Sequence, residues 1–317
     1  MIEYIKKKID SIIKDLNEKV NLNYHSQLIG FCRTLLAFAT LVTLLFNSQS
    51  VLFPLAKQSY ASTPYAEFFI GQFSIFNLLS EHYLIAKSIS ILILMFVIIG
   101  WRPKITCIFH WWITMSLFSG SPSVDGGDQL AQILTLLLLP ICLTDKRKWH
   151  WSLSLSKQVK SYSLKNLFLY SFYLIIRLQV CFVYFQAATH KLNVTEWVDG
   201  TATYYWFNHP YFGLNDSLKW LSEILFYSYL SSTIITWGAI ILELLLFMAL
   251  IAKNKYKNFL FIAGVFFHLA IWFVHGLFSF FLVMVVALML YLIPIDTQID
   301  FNLLRIKYKL KSKYVDK

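Results

Sequence analysis

The sequence predicts an all-α fold: an integral membrane bundle of about eight transmembrane helices, with cytoplasmic N- and C-termini. Three observations predict it. Only 14% of the 317 residues are charged, 57% are hydrophobic, and mean hydropathy is +0.58; soluble domains carry roughly 25% charged residues. Apolar runs recur from Leu28 to Pro294. The bases behind the net charge of +11 sit in short clusters between those runs, as membrane topology signals do, and not as a nucleic-acid-binding face.

The elements follow in order. In residues 1–22, Ile2, Ile5, Ile9, Ile12, Ile13 and Leu16 recur at helical spacing with Lys6, Lys7, Lys8 and Lys14 between them. This is the pattern of an amphipathic helix lying on the anionic cytoplasmic leaflet. No short signal peptide with a small-residue cleavage site precedes the first apolar run, so the N-terminus is expected to be retained. Residues 25–295 form the transmembrane domain. A crossing needs roughly 17–25 residues, and Leu28–Phe46, Tyr83–Gly100, Leu167–Ala188 and Thr233–Ala252 each qualify. Ile105–Gly120 and Gln129–Leu143 are shorter and flank the turn-forming stretch Ser121–Asp128. Phe259–Pro294 is too long for one crossing and divides near His275-Gly276. Residues 296–317 form a basic tail.

The charges agree with that division. Of the 28 Lys and Arg residues, 22 fall in residues 1–27, 101–104, 144–165, 253–257 and 295–317. The alternate connections hold 3: Lys57, Lys191 and Lys219. The positive-inside rule then puts both termini in the cytoplasm. Either short pair, 105–143 or 259–294, could instead be a re-entrant hairpin, which leaves the parity unchanged. Cys32, Cys107, Cys142 and Cys181 fall in or at the ends of spans without a CxxC pair, so they read as packing residues and no metal is indicated.

Polar groups in such a chain need a reason. Asp125 and Asp128 flank Gly126-Gly127; if Asp128 opens the next helix it caps it, which leaves Asp125 unexplained. His190 and Lys191 end an apolar run and are followed by Glu196, Trp197, Asp199 and Gly200. Lys191 is either an interfacial anchor or, in apolar surroundings, a base whose proton affinity a neighbouring Glu196 or Asp199 would restore. His268 and His275 lie two turns apart, on one helical face but too far apart to ligate one metal. Arg177 and Glu243, mid-span in consecutive helices, are expected to form a buried ion pair, because a lone charge at that depth costs at least about 2.5–3.5 kcal/mol.

The Val124–Gln129 turn (VDGGDQ), the segment His190-Lys191-Leu192 with Trp197-Val198-Asp199-Gly200, and the late His-bearing helix pair together resemble the horizontally transferred transmembrane domain. That domain is the membrane part of vitamin K-dependent gamma-carboxylase. Size, basic N-terminal helix and Lys/Ile/Asn-rich style are most similar to the sporulation-delaying protein B family. The resemblance implies a helical bundle whose functional cavity opens on the outer face. It also implies a catalytic base at Lys191, assisted by His190 or His268, with Asp125, Asp128 and His275 among the groups shaping the pocket. It implies a role in maturing a secreted antimicrobial peptide toxin at the bacterial plasma membrane. The partners it implies are the peptide precursor and a small accessory maturation protein, besides membrane lipids; no nucleic acid is expected. A carboxylase-like enzyme using a reduced quinone, stacked on Trp197 or Trp206, is the second reading, although no counterpart of the carboxylases' large luminal domain is expected here. A non-enzymatic scaffold or export factor for the precursor is the third. Neither H-E-x-x-H nor G-x-S-x-G occurs, which argues against a peptidase.

Overall fold

The computed structural model describes residues 2–53, 69–153, 163–300 and 305–307. Helix α1 (Ile2–Val20) leads into a bundle of α2 (Gln27–Phe46), α3 (Tyr83–Ile98), α4 (Pro103–Gly120), α5 (Gly126–Leu143), α6 (Leu164–Lys191), α7 (Tyr229–Met248), α8 (Asn254–His275) and α9 (Phe278–Leu292). Strands β1 (Gln298–Asp300) and β2 (Arg305–Lys307) pair antiparallel after it. Lys57 and the basic tail beyond Lys307 lie outside the described residues.

Each apolar run became a helix, and the punctuation is chemical. Ser26 caps α2 by accepting from the Ile29 N–H, and Pro103 opens α4, where its missing N–H costs nothing. The long final run breaks at Gly276, whose φ of 71° is the left-handed geometry that ends α8. Among the described residues, six helices are long and apolar enough to cross a membrane: α2, α3 with the preceding Ser80–His82 turn, α5, α6, α7 and α8. Helix α4 carries His110, Trp111 and Trp112. Helix α9 has 15 residues, roughly 22 Å at 1.5 Å per residue. The expected crossings beyond six therefore do not follow from length and apolarity.

Helix α9 explains its own shortness by where it sits. It is apolar on every side, and Leu282–Met284 and Val286–Leu292 are all buried, the signature of a helix enclosed by protein. It packs against α2, α5, α6 and α8. Gly264 of α8 lets that helix approach closely, since a Cβ there would meet Leu288 at 2.9 Å. A second apolar cluster joins α2, α3 and α4 through Phe53, Phe76 and Tyr83.

One end of the bundle is closed by a polar clasp. Trp101 and Trp149 pair as an isolated bridge, and Gly100, at φ 83°, leaves no room for a Cβ, which would lie 2.4 Å from the His150 ring. His150 and Arg33 are buried. Arg33 donates to His150 Nδ1 (3.2 Å) and to Thr106 Oγ1 (3.0 Å). Because Nδ1 accepts from a guanidinium, His150 carries its proton on Nε2, facing Thr34 Oγ1 at 3.3 Å. Burial first, and the positive charge of Arg33 next, push the His150 pKa down to about 2.

Candidate functional site

Helix α6 sets the geometry at the other end. Its residues Gln179, Val183, Gln186, Ala187 and Lys191 repeat at helical spacing and present one face to a cavity of about 980 Å³. Helices α5, α7, α8 and α9 supply the remaining walls, and the segment through Trp206 and Phe212 lies across it. The walls are mostly apolar with a few convergent polar groups, and the volume falls in the roughly 300–1,000 Å³ range of ligand sites.

Lys191 ends α6 with its ammonium fully engaged. Nζ donates to Glu243 Oε1 (2.7 Å) and Oε2 (2.8 Å) and to the Ala187 carbonyl (3.3 Å). It also lies 5.0 Å from the centre of the Trp197 ring, a cation–π contact. Trp197 is held there by the turn around it. Gly200, at φ 78°, seats that turn against α7, where a Cβ would fall 2.8 Å from Thr233 Oγ1 and 3.0 Å from its Cα. Tyr229 donates to the Asp199 carbonyl (2.7 Å), Ser232 to the Gly200 carbonyl (3.0 Å) and Trp237 to the Val198 carbonyl (3.3 Å). The spacing from Lys191 to Trp197 and Gly200 thus closes a loop that starts on α6 and docks on α7.

The expected Arg177–Glu243 pair does not form. Glu243, 4% exposed, takes Lys191 instead. Arg177 precedes Lys191 by fourteen residues on α6, roughly 21 Å along the axis, so it is far from the level of Glu243. Its Nε donates to the Tyr291 carbonyl in the last turn of α9 (3.2 Å), where a cation complements the helix dipole, and its guanidinium covers Tyr173.

The acids at the α4–α5 turn also exchange expected roles. Asp125, not Asp128, is the cap: its Oδ1 accepts from Gly127 N (2.7 Å) and Asp128 N (3.1 Å). Asp128 returns a carboxylate oxygen to Asp125 N (3.2 Å), completing a capping box. Asp125 borders the cavity and Asp128 does not.

The two late histidines both line the cavity. Buried His268 bonds through Nε2 to the Tyr184 hydroxyl (3.0 Å), while its Nδ1 has no partner among the described residues. His275 bonds through Nδ1 to the Phe212 carbonyl and meets the Trp206 ring edge-on, tying the covering segment to α8. His190, Glu196 and Asp199 are exposed and lie outside the cavity wall. Tyr184 was missed in the sequence although it precedes Lys191 by seven residues, two turns along the same helical face.

Among the described residues, no group of three or more His, Cys, Asp or Glu side chains could hold a metal. The two tryptophans on which a quinone was expected to stack are already engaged, Trp197 by Lys191 and Trp206 by His209 and His275. The fit of such a cofactor is not supported.

No family model and no solved structure matches the chain. Over 286 residues, 89% of this chain and 90% of the relative, it is 36% identical to uncharacterized protein YitO of Bacillus subtilis (strain 168). Over 275 residues, 85% of this chain and 82% of the relative, it is 36% identical to sporulation-delaying protein SdpB of the same organism. At 36% identity over more than four-fifths of both chains, the chain belongs to the family of the sporulation-delaying protein SdpB.

Proposed function

We propose that this membrane protein acts in producing a secreted sporulation-delaying peptide toxin, and that it does so at the cavity closed by Lys191 and Glu243. The observation that carries the first half is the identity to SdpB over most of both chains. Support for the second half is chemical: an ion pair inside a mostly apolar cavity is costly to maintain, and it borders a histidine with an unused ring nitrogen. The distribution of basic residues favours the outer face of the plasma membrane for this end of the bundle, where a secreted precursor and an accessory protein would meet it.

The pair, more than the lysine alone, is the acid–base unit in this reading. Lys191 becomes a base when its proton crosses to Glu243, 2.7 Å away. A charged Lys191 would instead hold a carbonyl or carboxylate of the precursor in place. Toxin production in cells tests both forms. Lys191→Ala abolishes active peptide while the protein inserts normally; full toxin activity from a normally inserted Lys191→Ala variant would refute the site. Lys191→Arg separates the two forms, since arginine stays charged: loss of activity supports proton transfer, and retention supports binding alone.

A further inference from the structure

Two small residues mark where the cavity wall gives way. Gly238 of α7 and Ala270 of α8 both border the cavity, and both are exposed. A Cβ built on Gly238 would meet nothing within 4 Å, so this glycine serves no close helix contact. The other walls are closed by packing: α7 lies along α6, α6 along α5, α5 along α9 and α9 along α8. The ring closes where α7 meets α8. A Cβ on Gly264 would come within 3.5 Å of Leu246 there, but neither residue borders the cavity. The contact between the two helices therefore lies outside the cavity wall.

Helical phase shows what the gap faces. Ile234, Ile241 and Leu245 on α7, with Ile262, Phe266 and Phe273 on α8, are large, exposed and absent from the cavity wall. On helices long and apolar enough to cross a membrane, these are the lipid-facing stripes. The cavity faces are Ile235, Ala239 and Leu242 on α7, and Phe267, Ile271 and Val274 on α8. At about 100° per residue, each stripe centres roughly 40–60° to one side of the small residue, and each cavity face roughly 65° to the other. Gly238 and Ala270 are thus the edges at which cavity face turns into lipid face. The rotation from stripe to cavity has the same sense along the chain on both helices, yet these consecutive spans run in opposite directions. Two such edges are mirror-related across a shared gap.

The cavity's other approach is covered. The hydroxyls of Thr203 and Thr236 hydrogen-bond at 2.6 Å, and His275 holds the Phe212 carbonyl, so the segment across the cavity is fastened to both α7 and α8.

We propose that the cavity is entered from the side, through a slot between α7 and α8 edged by Gly238 and Ala270, and that the ligand taking this route is an acyl chain of a membrane lipid. The slot opens on stripes that hydrocarbon surrounds, so acyl chains are what it meets. Its inner faces, Leu242, Phe267 and Ile271 among them, offer no side-chain hydrogen bond to the backbone N–H and C=O groups a peptide would bring. An acyl chain brings none. The inference stands on the shape of the cavity, whatever chemistry the cavity performs.

Photo-crosslinking tests it. The full-length protein in nanodiscs containing phosphatidylcholine with a diazirine on one acyl chain is irradiated, and the adducts are mapped by mass spectrometry. The expected adducts fall on the stripes, at Ile234 and Phe266, and also inside, at Leu242, Phe267 and Ile271. Gly238→Trp and Ala270→Trp each put a large ring in the slot and should lose the inner adducts while keeping the outer ones. Kept outer adducts report a folded, inserted protein. Gly238→Leu, which adds a side chain in open space, replaces a tryptophan variant that lacks them. Loss of the inner adducts in either folded variant establishes the route. Wild-type protein labelled on the stripes alone overturns the acyl-chain ligand, and inner adducts kept at the wild-type level by both plugged variants overturn the route. No readout depends on toxin production, so the result is separable from that of Lys191→Ala.

Discussion

At the scale of single residues, Glu243 is the group whose loss should be felt most. It is 4% exposed and gives both oxygens to Lys191. Replacing it by leucine leaves a largely buried ammonium without a counter-charge, a change that typically costs about 3–5 kcal/mol. Denaturation of the purified Glu243→Leu variant should show a loss at the low end of that range, because the Lys191 side chain keeps 20% exposure. The double variant Lys191→Met with Glu243→Leu should recover most of the lost stability while remaining inactive in toxin production. Recovery of activity with stability would mean that the pair is only structural.

His150 gives the opposite end of the bundle a pH dependence whose sign follows from its burial. Its folded pKa is depressed to about 2, so it is neutral when folded and takes up a proton on unfolding below about pH 6.5. Its contribution to stability is therefore complete above that pH. It declines as the pH falls, by up to about 1.4 kcal/mol per pH unit. His25, also lowered chiefly by burial, acts in the same direction. Melting temperatures measured at pH 7.5 and pH 5 should differ by less in a His150→Asn variant than in the wild type.

At the scale of elements, the turn 195–200 decides where Trp197 lies. Gly200→Ala forces an alanine to φ 78° and drives its Cβ onto Thr233, a strain of order 1–3 kcal/mol. The expected outcome is a lowered melting temperature and a changed Trp197 environment, read by fluorescence against a Trp197→Phe control. Tyr229→Phe, which removes one staple to Asp199, should have the weaker effect of about 1 kcal/mol.

Helix boundaries were legible because they are marked locally, by Ser26, Pro103, the 121–128 turn and Gly276. The pairing of Arg177 was not, because it depends on how far α6 slides past α7. Composition alone offers no measure of that offset: Arg177 and Glu243 each sit mid-run, yet a 28-residue α6 places them at different depths. The cap was assigned to Asp128 for a related reason: Asp125 and Asp128, three residues apart, both satisfy the composition rule, and only the helix start at Gly126 selects Asp125. The Tyr184–His268 contact spans 84 positions in the chain and needs the tertiary fold to be seen at all.

For the whole molecule, orientation is the property most open to a direct check. The basic residues gather at the end that holds the Arg33–His150 clasp, and the cavity lies at the other. If the cavity end faces outward, Glu196→Cys should react with a membrane-impermeant maleimide in intact cells. Lys255→Cys should react only after lysis. The four native cysteines are buried and free, which keeps the background low. The reverse pattern would invert the assignment.

The central position of α9 also bears on how the molecule is made. Helices α2 to α8 are synthesised first, yet α9, which packs against α2, α5, α6 and α8, follows them. Until it arrives, the cavity has no Phe280 or Met284 in its wall. A chain that ended at Gly276 would therefore hold α2 to α8 and lack part of the cavity wall. The close approach of Gly264 in α8 to Leu288 in α9 also forms only once α9 is present, so the working site is complete only when the last helix is in place.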